Sequence, residues 1–315
     1  MEVGRILHIV LPVFLIIGAG FVFRWAGVLT RQADASLLGI LVKLFVPCLA
    51  LDVIIGNEAL TRAENLILPP ILGFLSIGVG IGLAYGAARL FLRDRVVQRT
   101  FAGTVGIQNY GYIPLPLCLA LFDREVVGVL FAFNLGVDVA MWSLGVATIS
   151  GRGAGAGWWR PLINPPIVAV VVALVLNLAG AGVWIPEAVD TAWHMLGLCA
   201  VPLALLLTGA LFSDDARPGV LRGGWGSTAL ALTVRLGILP MIILSAAVFL
   251  PLDGALRSVL LVQAAMPCAM FPIVLSRIHH GDMPTALRAV FGTSLVGLVT
   301  IPLWLSFGVG VVGKL

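Results

Sequence analysis

The sequence predicts an all-α membrane protein of ten transmembrane helices, arranged as two inverted five-helix repeats with helices 4 and 9 broken inside the membrane. Three observations predict it. The 315-residue chain is 60% hydrophobic and only 11% charged, with a mean hydropathy of +1.09, whereas a soluble domain carries about 25% charged residues. Apolar runs of roughly 18 residues or more, the length that spans a bilayer, recur along the whole chain. Two proline landmarks also repeat at nearly one offset: Pro47 and Pro202 are 155 residues apart, and Pro114 and Pro272 are 158 apart.

The spans follow in order. Span 1 covers 5–24 and has no small-residue cleavage site, so it reads as a retained helix and not a signal peptide. Span 2, 33–56, holds FVPCLALDVI around Pro47; span 3 is 66–91. Span 4, 97–121, holds GIQNYGYIPLPLCLAL, with glycines, prolines and uncharged polar groups where an apolar helix is expected. Span 5, 126–150, holds FNLGVDVAMW. The basic, Gly-rich stretch SGRGAGAGWWR then divides the chain, giving a first repeat over 1–150, a linker over 151–160 and a second repeat over 161–315. Spans 6 to 10 are 163–181, 191–212, 227–250, 255–277 and 285–311. Span 7 holds AVPLALLLTG around Pro202, and span 9 holds MPCAMFPIVL. Five spans per half is an odd number, so the second half enters the membrane upside down, the plan of many secondary transporters.

Charge sets the orientation. The loops after spans 1, 3, 5, 7 and 9 carry 12 of the 19 Lys and Arg residues, and the opposite side carries 5. Positive loops stay in the cytoplasm, so both termini are expected outside, in the cell (inner) membrane. Net charge is +4, but the basic residues lie in short loops and not in a patch with aromatics, so nucleic acid is excluded as a partner. Cys48, Cys118, Cys199 and Cys268 all lie in apolar runs without a CxxC pair. They read as small core residues, with no metal site or disulfide framework.

A broken helix is tolerated at membrane depth only where it is buried in protein or lines a wet cavity. Proline removes a backbone donor and clashes with the preceding turn. Pro114 in span 4, and Pro267 and Pro272 in span 9, therefore mark two breaks in corresponding positions of the halves, and a binding site at their crossing. Freed N–H groups and half-helix N-termini favour an anion there. Asn109, Tyr110 and Tyr112 add directional hydrogen bonds, and Gln263 lies four residues before Pro267. A proline-kinked helix whose amides merely bond its neighbours is the alternative.

Lys43, Asp52, Asp138 and Arg235 fall inside spans, where each costs roughly 2.5–3.5 kcal/mol to insert. Arg235 either neutralises an anionic substrate or braces the protein. Asp138 either carries a coupling proton or pairs structurally with Arg235. Lys43 either faces the substrate path or snorkels. Asp52, near the outer end of span 2, reads as solvated; His8 and His194 near span ends, and His279 and His280 in the RIHHGD loop, read as solvated or interfacial. Asn134, one turn before Asp138, shares its helix face and joins the candidates.

The motifs LPVFLIIGAGFVFRWAGVLT, KLFVPCLAL, QNYGYIPLPLCLALF, VPLALLLTGALF, RLGILP and QAAMPCAMFPIVLSRIHHGD resemble the auxin efflux carrier family, which includes plant PIN carriers and bacterial permeases, over nearly the whole chain. The resemblance implies outward termini and a crossover of helices 4 and 9. It also implies a scaffold of helices 1, 2, 6 and 7 beside a transport domain that moves as an elevator. Lys43 would then lie on the scaffold side. The expected function is secondary transport of a small organic anion, such as an auxin-like acid or malate, without a cofactor. Proton coupling and a homodimer stay open. A sodium-coupled symporter of the bile-acid type is the alternative. An intramembrane enzyme finds no HExxH or GxSxG motif to support it, and a channel would need a charged ring or filter.

Overall fold

The computed structural model describes residues 3–153, 155–215 and 223–312. Arg217, Arg222 and Lys314, which enter the charge asymmetry, lie outside the described residues. The described chain is helical, with one isolated antiparallel bridge. Its helices are α1 (Val3–Trp25), α2 (Arg31–Ile54), α3 (Ala63–Phe91), α4 (Arg95–Val105), α5 (Pro114–Leu121) and α6 (Arg124–Ser150). After the Gly-rich stretch come α7 (Pro165–Leu178), α8 (Glu187–Asp214), α9 (Trp225–Phe249), α10 (Gly254–Ala264), α11 (Phe271–Ile278) and α12 (Met283–Val312). Six of them, α2, α3, α6, α8, α9 and α12, are long and apolar enough to cross a membrane.

Local chemistry fixes the ends. Asp94 accepts hydrogen bonds from the backbone N–H groups of Val96 (2.7 Å) and Val97 (2.9 Å) to cap α4. Asp123 caps α6 and Asn164 caps α7 in the same way, satisfying donors that a helix start leaves orphaned. Asp253 caps α10 and also meets Arg62 and Asn65 at the start of α3. Burial alone would raise its carboxyl, but the hydrogen bonds from Asn65 and the Ala255 and Gly254 backbone, with the Arg62 charge, outweigh it and hold the pKa below the usual carboxylate range. Three of the long helices widen into π turns, at Leu41–Phe45, Met141–Gly145 and Thr233–Ile238. Pro47 and Pro240 follow the first and third; each lacks an N–H and crowds the carbonyl four residues back. No proline follows the second.

Packing sorts the helices into two groups. One contains α1, α2, α7 and α8; the other contains α3 to α6 and α9 to α12. Contacts within each group far outnumber those between them. Paired glycines let the closest crossings form. A Cβ on Gly20 would lie 2.0 Å from the Leu206 carbonyl oxygen, and one on Gly209 would lie 1.9 Å from that of Ile17, which joins α1 to α8. Gly73 and Gly136 play the same part between α3 and α6. Without a hydrophobic effect between lipid and protein, such close backbone approach is how membrane helices gain contact energy.

Candidate functional site

The second group is built around two interruptions. Residues 106–113 separate α4 from α5, and residues 265–270 separate α10 from α11. The two unwound stretches run antiparallel past each other and exchange backbone hydrogen bonds. Asn109 N donates to Pro267 O (2.8 Å) and Ala269 N donates to Ile107 O (2.9 Å), with Gln108 opposite Cys268. This crossing supplies the partners that unwound backbone needs at depth. Gly80 and Gly106 let α3 back onto it: a Cβ on Gly106 would lie 2.5 Å from Ile81 N.

The prolines act differently from the expectation that they break the helices. Pro114 and Pro272 stand in the first turns of α5 and α11. A proline there forfeits no intrahelical bond and preorganises the helix start. They define where helix resumes, while the cross-bonded stretches supply the break. Of the three prolines, Pro267 alone lies within an unwound stretch.

Beside the crossing, a cavity of about 400 Å³ opens between the two helix groups. Val42 and Val46 of α2, Ile167 and Val170 of α7, and Ala200 and Ala204 of α8 form one wall. The other is formed by Asn109 to Tyr112, by Phe131, Asn134, Asp138 and Trp142 of α6, and by Ala269 to Phe271. Thus Asn109, Tyr110, Tyr112, Asn134 and Asp138, scattered over thirty positions of sequence, meet in one space. The Tyr110 hydroxyl donates to Asp138 Oδ1 at 2.8 Å and also touches Met141 Sδ at 3.5 Å. Asn134 Oδ1 is buried without a partner. Asn109 Oδ1 accepts weakly from Ile113 N at 3.4 Å, so its amide group stays in the cavity wall. Gln263 lies behind the wall, fully buried; its Nε2 donates to Tyr110 O at 3.3 Å and its Oε1 is unpartnered. Among the described residues, Asp138 is the sole acidic side chain lining the cavity, and no Lys, Arg or His lines it.

Several expectations are corrected. Arg235 and Asp138 form no pair. Arg235 is fully buried, its Nε donates to Met266 O at 3.0 Å, and both terminal nitrogens lack partners. It therefore braces the stretch beside Pro267 from outside the cavity. Lys43 is exposed and does not line the cavity; Val42 and Val46, one turn apart on another face of α2, do. Asp52 is not solvated. It is only 6% exposed and accepts from Arg124 at 2.8 Å, with His194 Nδ1 3.1 Å from both its oxygens. His194 is thus engaged and not free. This cluster ties α2 and α8 to the start of α6, so it bridges the two helix groups. Cys199 is exposed, unlike the other three cysteines.

Sequence reasoning missed Trp142, Phe271 and Asn164. Trp142 packs edge-on against Phe271, with ring centroids 5.1 Å apart, a geometry favoured by the ring quadrupoles. Phe271 adjoins Pro272 and was readable as part of the second break; an aromatic inside a span gives no signal of its own. Asn164 was readable as the N-cap before Pro165 and Pro166.

The family of membrane transport proteins matches the chain twice, over residues 5–157 and again over 154–305. Two relatives match nearly end to end, and each is described as an uncharacterized transporter. One, from Methanothermobacter thermautotrophicus, is 25% identical over 301 residues, 94% of this chain and 96% of the relative. The other, from Methanocaldococcus jannaschii, is 25% identical over 306 residues, 95% of this chain and 97% of the relative. A family match across both halves, on a chain built from long apolar helices, makes this a multi-pass membrane protein that belongs to the auxin efflux carrier-like family of membrane transport proteins.

Proposed function

We propose that the protein is a secondary transporter that carries a small organic anion through the cavity at the crossing. The observation that carries this reading is the position of the cavity. It lies between two helix groups that pack far more within themselves than with each other, so sliding one group past the other moves the crossing relative to the opposite wall. The same grouping supports an elevator-type movement, with α1, α2, α7 and α8 as scaffold. The helix pairings also support two inverted repeats. The α1–α8 contact has its counterpart in α7–α2, and α3–α6 has its counterpart in α9–α12. On that plan α4 with α5, and α10 with α11, each make one interrupted span, giving ten.

An anion suits the site because α5 and α11 both begin at the crossing, and helix N-termini carry partial positive charge. Asn109, Tyr110, Tyr112 and Asn134 are the proposed ligand groups. Gln263, Pro114, Pro267, Pro272 and Arg235 shape the stretches that hold them. Aromatic rings on the cavity walls favour a planar anion. The sodium-coupled reading is weaker: Arg235 already stands at the C-terminal end of α10, where a half-helix would otherwise attract a cation.

If Asn109 donates to a bound carboxylate, its loss removes a hydrogen bond to a charged group, about 1.5–3 kcal/mol. Asn109→Ala should then weaken binding roughly 10- to 150-fold with unchanged thermal stability. Calorimetry with a panel of organic acids reads this, and wild-type affinity in the variant would move the ligand elsewhere. We further propose outward termini. In a cysteine-free background, a cysteine at Arg95 should resist impermeant thiol reagents in intact cells while one at Glu187 reacts, and the reverse labelling pattern would overturn the orientation.

A further inference from the structure

We infer that the cavity holds a single negative charge at a time, so that a monoanion binds only together with a proton on Asp138, and dianions are rejected. The inference rests on the reading above that the cavity takes an organic anion, and it adds the charge state and the coupling. Asp138 projects from α6 into a space whose opposite wall, from α2, α7 and α8, is made of aliphatic side chains and prolines with the one amide of Asn164. Element by element, the titratable groups that face it are few. The crossing presents Tyr110, which donates to Oδ1, and Tyr112. Among the described residues α2, α7, α8 and α11 present none, and α6 presents no other. Lys43 is exposed away from the cavity, and Arg235 bonds Met266 O and does not line it. No cation is therefore at hand to offset a second negative charge.

Two carboxylates confined in one cavity with largely apolar walls and no cation do not both stay ionised; one takes a proton. The proton comes from water on the loading side with the anion. It binds the Asp138 oxygen that Tyr110 does not hold, Oδ2, and it leaves to water on the far side when the anion leaves. The empty site with ionised Asp138 and the loaded site with neutral Asp138 then carry the same charge. Each complete cycle, loaded crossing and empty return, moves an anion and a proton together without net charge transfer. A dianion would leave an additional charge even after Asp138 is neutralised.

The test uses the purified full-length protein with benzoate and its dicarboxylate isophthalate. Both are fully ionised between about pH 6 and pH 8, so any pH dependence belongs to the protein. Calorimetry in two buffers of different ionisation enthalpy counts protons. Benzoate binding to wild type should take up one proton per anion at the alkaline end and weaken roughly tenfold per pH unit there. Isophthalate should bind at least tenfold more weakly than benzoate throughout. Asp138→Asn keeps an acceptor for Tyr110, and should bind benzoate without proton uptake or pH dependence. Benzoate binding to wild type without proton uptake would overturn the inference while leaving the anion reading intact, whatever the behaviour of the variant. Tight isophthalate binding would do the same. Failure of wild type to bind any of a panel of organic anions, with tetraethylammonium bound instead, would overturn the anion reading and the inference with it.

Discussion

Gly136→Ala is expected to cost about 3 kcal/mol or more, and to leave little folded protein in detergent. Adding methylenes to a packed core costs typically about 1–3 kcal/mol because side chains can still yield. Here there is no side chain to yield. The new Cβ would lie 1.7 Å from Pro70 O, 2.6 Å from Pro70 C and 2.9 Å from Phe74 N, all backbone of α3. Gly73 faces the reverse problem, with Phe133 O at 2.1 Å. The helices would have to separate along the contact that holds α6, and with it Asn134 and Asp138, against the rest of its group. Gly82→Ala is the matched control, since nothing lies within 4 Å of its Cβ. It should be neutral or gain up to about 1 kcal/mol from helix propensity alone. Melting temperatures of the two variants, side by side, check this. A wild-type melting temperature in Gly136→Ala would mean that α3 and α6 do not pack through these glycines.

The contrast between those glycines marks what the sequence can and cannot reveal. The apolar spans were legible because crossing a bilayer demands long runs without charge, and the two interruptions were legible because glycine, proline and amides crowd into them. Which face of a helix meets protein was not legible. In water a buried face differs from an exposed one in polarity, but in lipid both are apolar. On α3, Ile77 is fully buried and Val79, two residues on, is 43% exposed. The cavity lining from the crossing and α6 was accessible because its members are polar or charged in an apolar context. The opposite wall of valine, isoleucine and alanine carried no such mark. Asp52 was misread for a related reason. Its depth was visible, but its partners lie 72 and 142 residues away in Arg124 and His194, and only the packing of α2 against α6 and α8 brings them together. Asp138 and Arg235 illustrate the converse. Two buried opposite charges invite pairing by Coulomb reasoning, yet each is held by a neutral partner, a tyrosine hydroxyl and a backbone carbonyl.

Arg235→Met should uncouple stability from transport. The buried guanidinium makes one hydrogen bond, from Nε to Met266 O, and leaves both terminal nitrogens without partners. Burying a charge so sparsely satisfied is costly, and exchange for an apolar residue of similar volume is often neutral or stabilising. The melting temperature of the methionine variant should therefore stay near that of wild type or rise. Its transport should not. Met266 precedes Pro267, whose carbonyl takes the hydrogen bond from Asn109 N, so Arg235 steadies the stretch on which Asn109 is registered. Loss of a hydrogen bond involving a charged donor, about 1.5–3 kcal/mol, would be felt as misplacement of the ligand groups, and uptake should fall roughly 10- to 150-fold. Arg235→Lys separates charge from geometry. An ammonium lacks the fixed guanidinium fork, so the lysine variant should recover transport only in part. Uptake rates and melting curves measured on both variants decide the matter. Wild-type uptake in the methionine variant would show that Met266 O needs no donor, and a collapse of its melting temperature would make Arg235 a pillar of the fold in place of a positioning residue for the crossing.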